Sequence, residues 1–298
     1  LFALTIVLFF YVHAVPGDPI AGMLGPNGTP ELIEQLRRER GLDRPLLEQY
    51  LSWLGGLVQG DLGVSLISGQ QITPILIDRI PATLQLTFAS LIASILIGFP
   101  AGFLAGNYKG SWIDRVLSPL SLLGLSLPVF WIGTLLILVL AVQLGWLPAG
   151  GYVPIWEDPV ASIRLTLMPA LVMGIHLSPF LARMVRTATA ELHAEQFVIQ
   201  ARMRGLLKRT IAQRFLLRNG VLPVLVVMGM QLGTLLGGQV IVEQLFNWPG
   251  IGRLLVEGAV QRDYLMVQSL ILVVAGIYLA VNLVVEILHA GLDPRVRL

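Results

Sequence analysis

Apolar residues run along this chain in long blocks separated by shorter polar stretches, and the lengths of the blocks set the architecture. A helix needs about 20 predominantly apolar residues to cross a hydrocarbon core of about 30 Å. Five blocks reach that length: 82–107, 116–144 with an interruption at Ser126-Leu127-Pro128, 165–187, 221–242 and 265–288. Leu1 to Ala14 is apolar but shorter, and reads as part of a first spanning helix whose start is missing. A signal peptide fits less well, because no basic region precedes it and no small-residue cleavage site follows it. The pattern predicts an all-α, polytopic membrane helical bundle with six crossings.

Residues 15–80 interrupt the apolar pattern and are expected to form a separate helical subdomain on the outer side of the membrane. Thr29-Pro30 before Glu31 reads as a helix start, and Leu46, Tyr50, Leu51 and Leu54 recur at helical spacing. Residues 81–298 then make up a core with the other five crossings.

Composition agrees with the block pattern. Hydrophobic residues are 55% and charged residues 13%, with mean hydropathy +0.77, where a soluble domain carries about 25% charged residues. The net charge of +2 is small and its arginines are clustered, which bears on orientation rather than on nucleic-acid binding. There is no cysteine, so disulfides, thiolate metal sites and cysteine nucleophiles are excluded.

Charge placement gives the orientation. The segment 188–219, between the fourth and fifth crossings, carries Arg202, Arg204, Lys208, Arg209, Arg214 and Arg218 against Glu191 and Glu195. Lys109 and Arg115 lie between the second and third crossings, and Arg295 and Arg297 in the tail. These segments belong on the cytoplasmic side, which puts both termini there. Ala201 and Gly205 offer a close-approach surface within the basic segment, and Phe197, Val198 and Leu206 supply apolar area, so the segment reads as a docking element.

Other candidates sit in or next to the crossings. Gly229, Gly233 and Gly237 repeat at steps of four and line one helix face, which favours close helix packing. Gln231, Thr234 and Gln239 on the same helix leave open a second role, lining a wet path against another subunit. Asn282 with Glu286 reads as a helix-end anchor or an ion-handling pair, and His176 with Ser178 as an interhelical hydrogen bond or a pore position. Trp248-Pro249-Gly250 breaks any helix, and its Trp suits a membrane interface. No G-x-x-x-x-G-K-[ST] loop, no G-x-S-x-G elbow and no His/Cys metal cluster is present. An intramembrane enzyme and a secondary transporter are therefore poorly supported, the latter also for want of clear internal repeats.

The basic segment resembles the EAA-type cytoplasmic loop of ABC-importer permeases. Pro16-Gly17-Asp18-Pro19, Gly41-Leu42-Asp43, Gly60-Asp61-Leu62-Gly63, Phe246 to Arg253, Arg262-Asp263-Tyr264 and Leu292-Asp293-Pro294-Arg295 follow in the order of the B-type permease subunit of the dipeptide, oligopeptide and nickel importers. The resemblance implies the type I ABC importer permease fold in a bacterial inner membrane. It implies a homologous C-type permease, two cytoplasmic ABC ATPases and a periplasmic substrate-binding protein as partners, besides membrane lipid. ATP and Mg would be bound by the ATPases and no cofactor or metal by this chain. Ala201, Arg202, Arg204, Gly205 and Leu206 would couple to the ATPase, whose closure would carry the neighbouring helices with it. Trp248, Pro249, Gly250 and Arg253 would belong to an external gate or a platform for the binding protein, with interfacial anchoring as the plainer alternative. Peptides are the expected substrate, with glutathione and nickel or other metal chelates as alternatives.

Overall fold

The computed structural model describes residues 1–14, 29–39, 41, 43–220 and 222–292. The motifs Pro16 to Pro19 and Asp293 to Arg295 lie outside the described residues, as does Leu42. In chain order the helices are α1 (Phe2–Ala14), α2 (Pro30–Glu39), α3 (Leu46–Val58), α4 (Ile72–Asn107), α5 (Trp112–Ser126) and α6 (Val129–Leu136), which runs on into a wider π-helical stretch, Ile137–Gln143. There follow α7 (Pro159–Leu192), α8 (Gln196–Met203), α9 (Lys208–Ile211), a second π-helical stretch (Ala212–Leu216), α10 (Leu217–Gly220), α11 (Leu222–Gly238), α12 (Val240–Leu245), α13 (Ile251–Val260) and α14 (Tyr264–Leu292). Among the described residues the only strand-like pairing is one antiparallel bridge, Val64 with Gln71.

Three of these helices, α4, α7 and α14, are long and apolar enough to cross a membrane, and α5 with the following Val129–Gln143 makes a fourth if that bent pair is one span. The pair bends by 102°. The cause is Pro128: it lacks an N–H and forces Leu127 into extended backbone, φ −83° and ψ 128°. The apolar segments α1 and α11 are shorter, 13 and 17 residues, and α12 follows α11 after Gln239.

Two helices start earlier than the apolar pattern predicts. α7 begins at Pro159 rather than near 165, because the Asp158 carboxylate accepts hydrogen bonds from the Val160 and Ala161 N–H groups and Pro159 is suited to the first helical position. α4 begins at Ile72 rather than near 82, running through Asp78-Arg79 and Pro81. Ile72 and Leu76 are buried there, and that packing outweighs the local loop-like signal.

The chain forms two compact units. The first comprises Leu1–Pro81 and Pro249–Ile277. Its core is Leu62, Ile72, Leu76, Ile251, Leu254, Met266 and Leu270. α2 starts where expected, with Thr29 Oγ1 accepting from the Leu32 N–H. α3 packs on α1 through Tyr50, whose hydroxyl shares a hydrogen bond with Thr5 and whose ring meets Phe9 edge-on. Gly60-Asp61-Leu62-Gly63 is a turn that needs glycine: Gly60 and Gly63 have φ +81° and +86°, and the Gly63 N–H donates to Asp61 Oδ1. Asp263 is buried and caps α14, accepting from Ser65 Oγ and from the Leu66 and Met266 N–H groups.

The second unit comprises Ala82–Trp248 and Tyr278–Leu298, and α7 is its centre. Gly98, Gly102 and Gly106 of α4 lie directly on the α7 backbone: a Cβ at Gly102 would sit 2.3 Å from the Ala182 carbonyl oxygen. Its largest apolar cluster includes Leu86, Met168, Val172, Leu235, Phe246 and Trp248.

Candidate functional site

The basic segment folds as α8 followed by a tight reversal. Gly205 takes the left-handed conformation, φ +76°, just beyond the helix end. Its N–H donates to the Arg202 carbonyl and the Leu206 N–H to the Ala201 carbonyl, the paired bonds of a Schellman cap. This geometry explains the Gly-Leu dipeptide. Val198 and Ala201 are buried against Ile211, Leu216 and Phe215, so the small side chain of Ala201 serves packing within the chain rather than an exposed docking face. The outward surface is instead apolar at Met203 and Leu207, 82% and 75% exposed, with Arg204, Leu206, Lys208 and Arg209 around them. Sequence reading passed over Met203 and Leu207, although they flank the glycine.

Arg202 turns back onto the end of α7 and donates to His193 Nδ1. Burial and the Arg202 charge together push His193 below its ordinary pKa. A second polar tie stands one step away: Arg186 of α7 grips Asp114 of α5 with two hydrogen bonds, Nε to Oδ1 at 2.6 Å and Nη2 to Oδ2 at 2.9 Å. The Gly110 N–H and Ser118 hydroxyl also donate to this buried carboxylate. Asp114 was not singled out in the sequence. A lone acid at the start of an apolar helix, with an arginine in a neighbouring one, is the signal that could have found it.

The glycine face of α11 is accounted for inside the chain. A Cβ at Gly229 or Gly233 would meet Val285 or Tyr278 of α14 at 2.2 and 2.1 Å, so both are close-packing positions. Gln231 points elsewhere: it accepts from Ser94 Oγ, and its amide donates to the Leu177 carbonyl at 3.0 Å. The glycines and Gln231 are thus not brought together on one lining. The side chain of Thr234 and the surroundings of Gly237 are outside what the structure describes. Gln239 is buried and donates to Thr87 Oγ1. His176 Nδ1 is buried with no hydrogen-bond partner, and Ser178 donates to the Ile175 carbonyl within its own helix, so neither of these groups makes the expected bond between helices. Glu286 is exposed, Asn282 half-buried, and the side chain of His289 lies outside the described residues.

Trp248 corrects an expectation. Its indole is fully buried, with Nε1 donating to the Ala82 carbonyl at 2.9 Å and the ring edge-on to Tyr152 at 4.9 Å, so it is a core residue and not an interfacial anchor. Burial, with the Glu157 charge adding to it, pushes the Tyr152 phenol up. In the other unit Pro249 precedes α13, Gly250 is buried, and Arg253 pairs with Glu257 one turn on at 2.8 Å. No group of acidic, His or Cys side chains able to hold a metal occurs among the described residues.

Residues 98–298 match the family model described as binding-protein-dependent transport system inner membrane component, and residues 1–87 match that of its N-terminal region. Across 297 residues the chain is 36% identical to the glutathione transport system permease protein GsiC of Escherichia coli O6:H1, covering all of this chain and 94% of that protein. The same protein of Shigella dysenteriae serotype 1 is also 36% identical at equal coverage. Among solved structures, an inward-facing form of the MetNI methionine ABC transporter superposes with a TM-score of 0.61 at 18% identity, over 74% of this chain and 96% of that one. An amino acid ABC transporter with histidines gives 0.52 at 20% identity, over 75% and 95%. These two likenesses concern the fold.

Proposed function

The chain belongs to the family of binding-protein-dependent transport system inner membrane components, and from that membership we propose that it forms half of the translocation pathway of an importer for short peptides. It is a permease subunit of an ABC importer, a multi-pass inner-membrane protein and not an enzyme. The observation that carries this reading is the likeness over 297 residues to glutathione transport permeases, which favours the glutathione alternative, glutathione being itself a tripeptide, while import of other short peptides fits at the level of the family. Nickel chelates become the less favoured cargo.

In this reading ATP and Mg are bound by two partner ATPases on the cytoplasmic side, where both termini of the chain also lie. A C-type permease completes the pathway and a periplasmic protein delivers the substrate. The exposed apolar Met203 and Leu207 seat in the ATPase. Because α8 is tied to α7 by Arg202 and His193, and α7 to α5 by Arg186 and Asp114, displacement of α8 is passed to the long helices as a rigid-body movement.

The test is ATP hydrolysis by the assembled complex in lipid nanodiscs, with its binding protein loaded in turn with a dipeptide mixture, glutathione and a nickel chelate. Stimulation by glutathione or dipeptides is expected. Stimulation by the chelate alone would move the chain to metal import.

A further inference from the structure

A cavity of about 230 Å³ lies between α4, α5 and α7, beside the Asp114–Arg186 pair. Its walls are small or aliphatic: Ala101 and Ala105 from α4, Leu117 and Leu122 from α5, Pro179 and Ala182 from α7. Leu122 is 54% exposed, so the cavity is a groove reached from the outside of the helix bundle.

One end of the groove is basic. Arg183 lines it, and Arg115 lies seven residues before Leu122, two turns along the same side of α5. Among the described residues neither guanidinium forms an ion pair, whereas the charge of Arg186 is taken up by Asp114. Trp112, 73% exposed at the start of α5, marks the level of the lipid headgroups, where indole rings concentrate. The groove therefore runs from headgroup level into the apolar layer, with its cationic end where phosphates are found. An arginine at the edge of that layer is costly when unpaired and is well matched by a phosphate, which accepts its forked N–H groups.

We propose that this groove is a binding site for one anionic phospholipid of the surrounding bilayer, with its phosphate on Arg183 and Arg115 and an acyl chain along the α4–α5 wall. A zwitterionic lipid offers the same phosphate but brings its own cation to two arginines, so the site discriminates by net headgroup charge. The inference uses only the membrane placement of the helices and is independent of the cargo.

The test uses the full chain in nanodiscs of equal phosphatidylglycerol and phosphatidylcholine, transferred to mild detergent, with retained lipids counted by native mass spectrometry. The wild type is expected to retain phosphatidylglycerol in preference. Arg183→Gln should lower that preference about fivefold, the factor for one basic side chain at a membrane surface, while Arg183→Lys keeps most of it and Arg209→Gln has no effect. Equal retention of both lipids by the wild type, or an unchanged preference in Arg183→Gln, would overturn the proposal. A photo-crosslinking benzophenone residue in place of Leu122 gives a check that does not depend on a folded arginine variant. Its adduct should carry the mass of a lipid, and an adduct with a second protein chain would show that the groove is a subunit contact instead.

Discussion

Asp114 and Arg186 illustrate how much a single buried charge can hold. The carboxylate is surrounded by four donors, two from Arg186 and one each from Gly110 and Ser118, so its charge is fully used. Replacing it by Asn leaves Arg186 with half its partner and no countercharge. Asp114→Asn is expected to destabilise the chain by about 3 kcal/mol, the usual cost of breaking a buried pair from one side. Ser118→Ala removes one hydrogen bond and should cost about 1 kcal/mol. The double variant Asp114→Leu with Arg186→Met should recover part of the loss, because no buried charge is then left alone. Thermal unfolding in a single detergent orders the variants, and a double variant worse than Asp114→Asn would refute the account.

His193 belongs to the same scale. Burial and Arg202 hold its pKa below the ordinary 6.5. Its neutral form is therefore the one compatible with the folded loop. The associated stability is complete above about 6.5 and is lost as the pH falls through the lower folded value. Amide exchange in α8 is expected to quicken as the pH is lowered below 6.5, after correction for intrinsic rates, and this dependence should disappear in His193→Gln. Equal pH profiles for the two proteins would mean that His193 does not hold α8.

At the scale of helices, close approach is decided by glycine, and its two uses here respond oppositely to a methyl group. Gly102 of α4 lies on the α7 backbone, where a Cβ would meet a carbonyl oxygen and the next carbon at 2.3 and 2.9 Å. Neither atom can move aside. Gly102→Val should cost at least about 3 kcal/mol and sharply reduce the amount of folded protein in the membrane. Gly55, inside α3, has nothing within 4 Å of its Cβ position, so Gly55→Ala should raise stability by about 1 kcal/mol through helix propensity alone. Fluorescence-detected gel filtration after a heating series reads both.

The same helices mark what the sequence could and could not disclose. The apolar blocks located α4, α7 and α14 because length and hydropathy are local properties. The Pro128 break was equally local. The early starts of α4 and α7 lie outside the apolar blocks, one behind Asp78-Arg79 and Pro81 and the other behind the Asp158 cap. The glycines at 229 and 233 were visible but their partner, the Tyr278 and Val285 face, depends on tertiary packing. The interfacial alternative for Trp248 falls for the same reason: indole chemistry fits either an interface or a core, and only the Ala82 carbonyl and the Tyr152 ring decide it.

For the molecule as a transporter, the consequence lies in which surface of the α8 region remains available to another protein. Ala201 is buried, and a large residue at Gly205 would strain a backbone that requires φ +76°. A Gly205→Trp variant would therefore disturb the cap and the surface together and could not separate folding from docking. Met203 and Leu207 avoid this difficulty, since both are exposed and neither supports the Schellman hydrogen bonds with its side chain. Full burial of such a side chain in a partner contributes about 1.5–3 kcal/mol. Met203→Glu and Leu207→Glu should each weaken retention of the ATPase by about tenfold to a hundredfold, while the permease still accumulates, inserts and melts as the wild type does. Co-purification of the ATPases on the tagged permease measures the first effect, and uptake of labelled glutathione into cells lacking other uptake routes measures its result. Uptake should fall in step with retention. Full retention and uptake by a stably folded double variant would place the docking surface elsewhere and remove α8 from the path by which ATPase closure reaches the membrane helices.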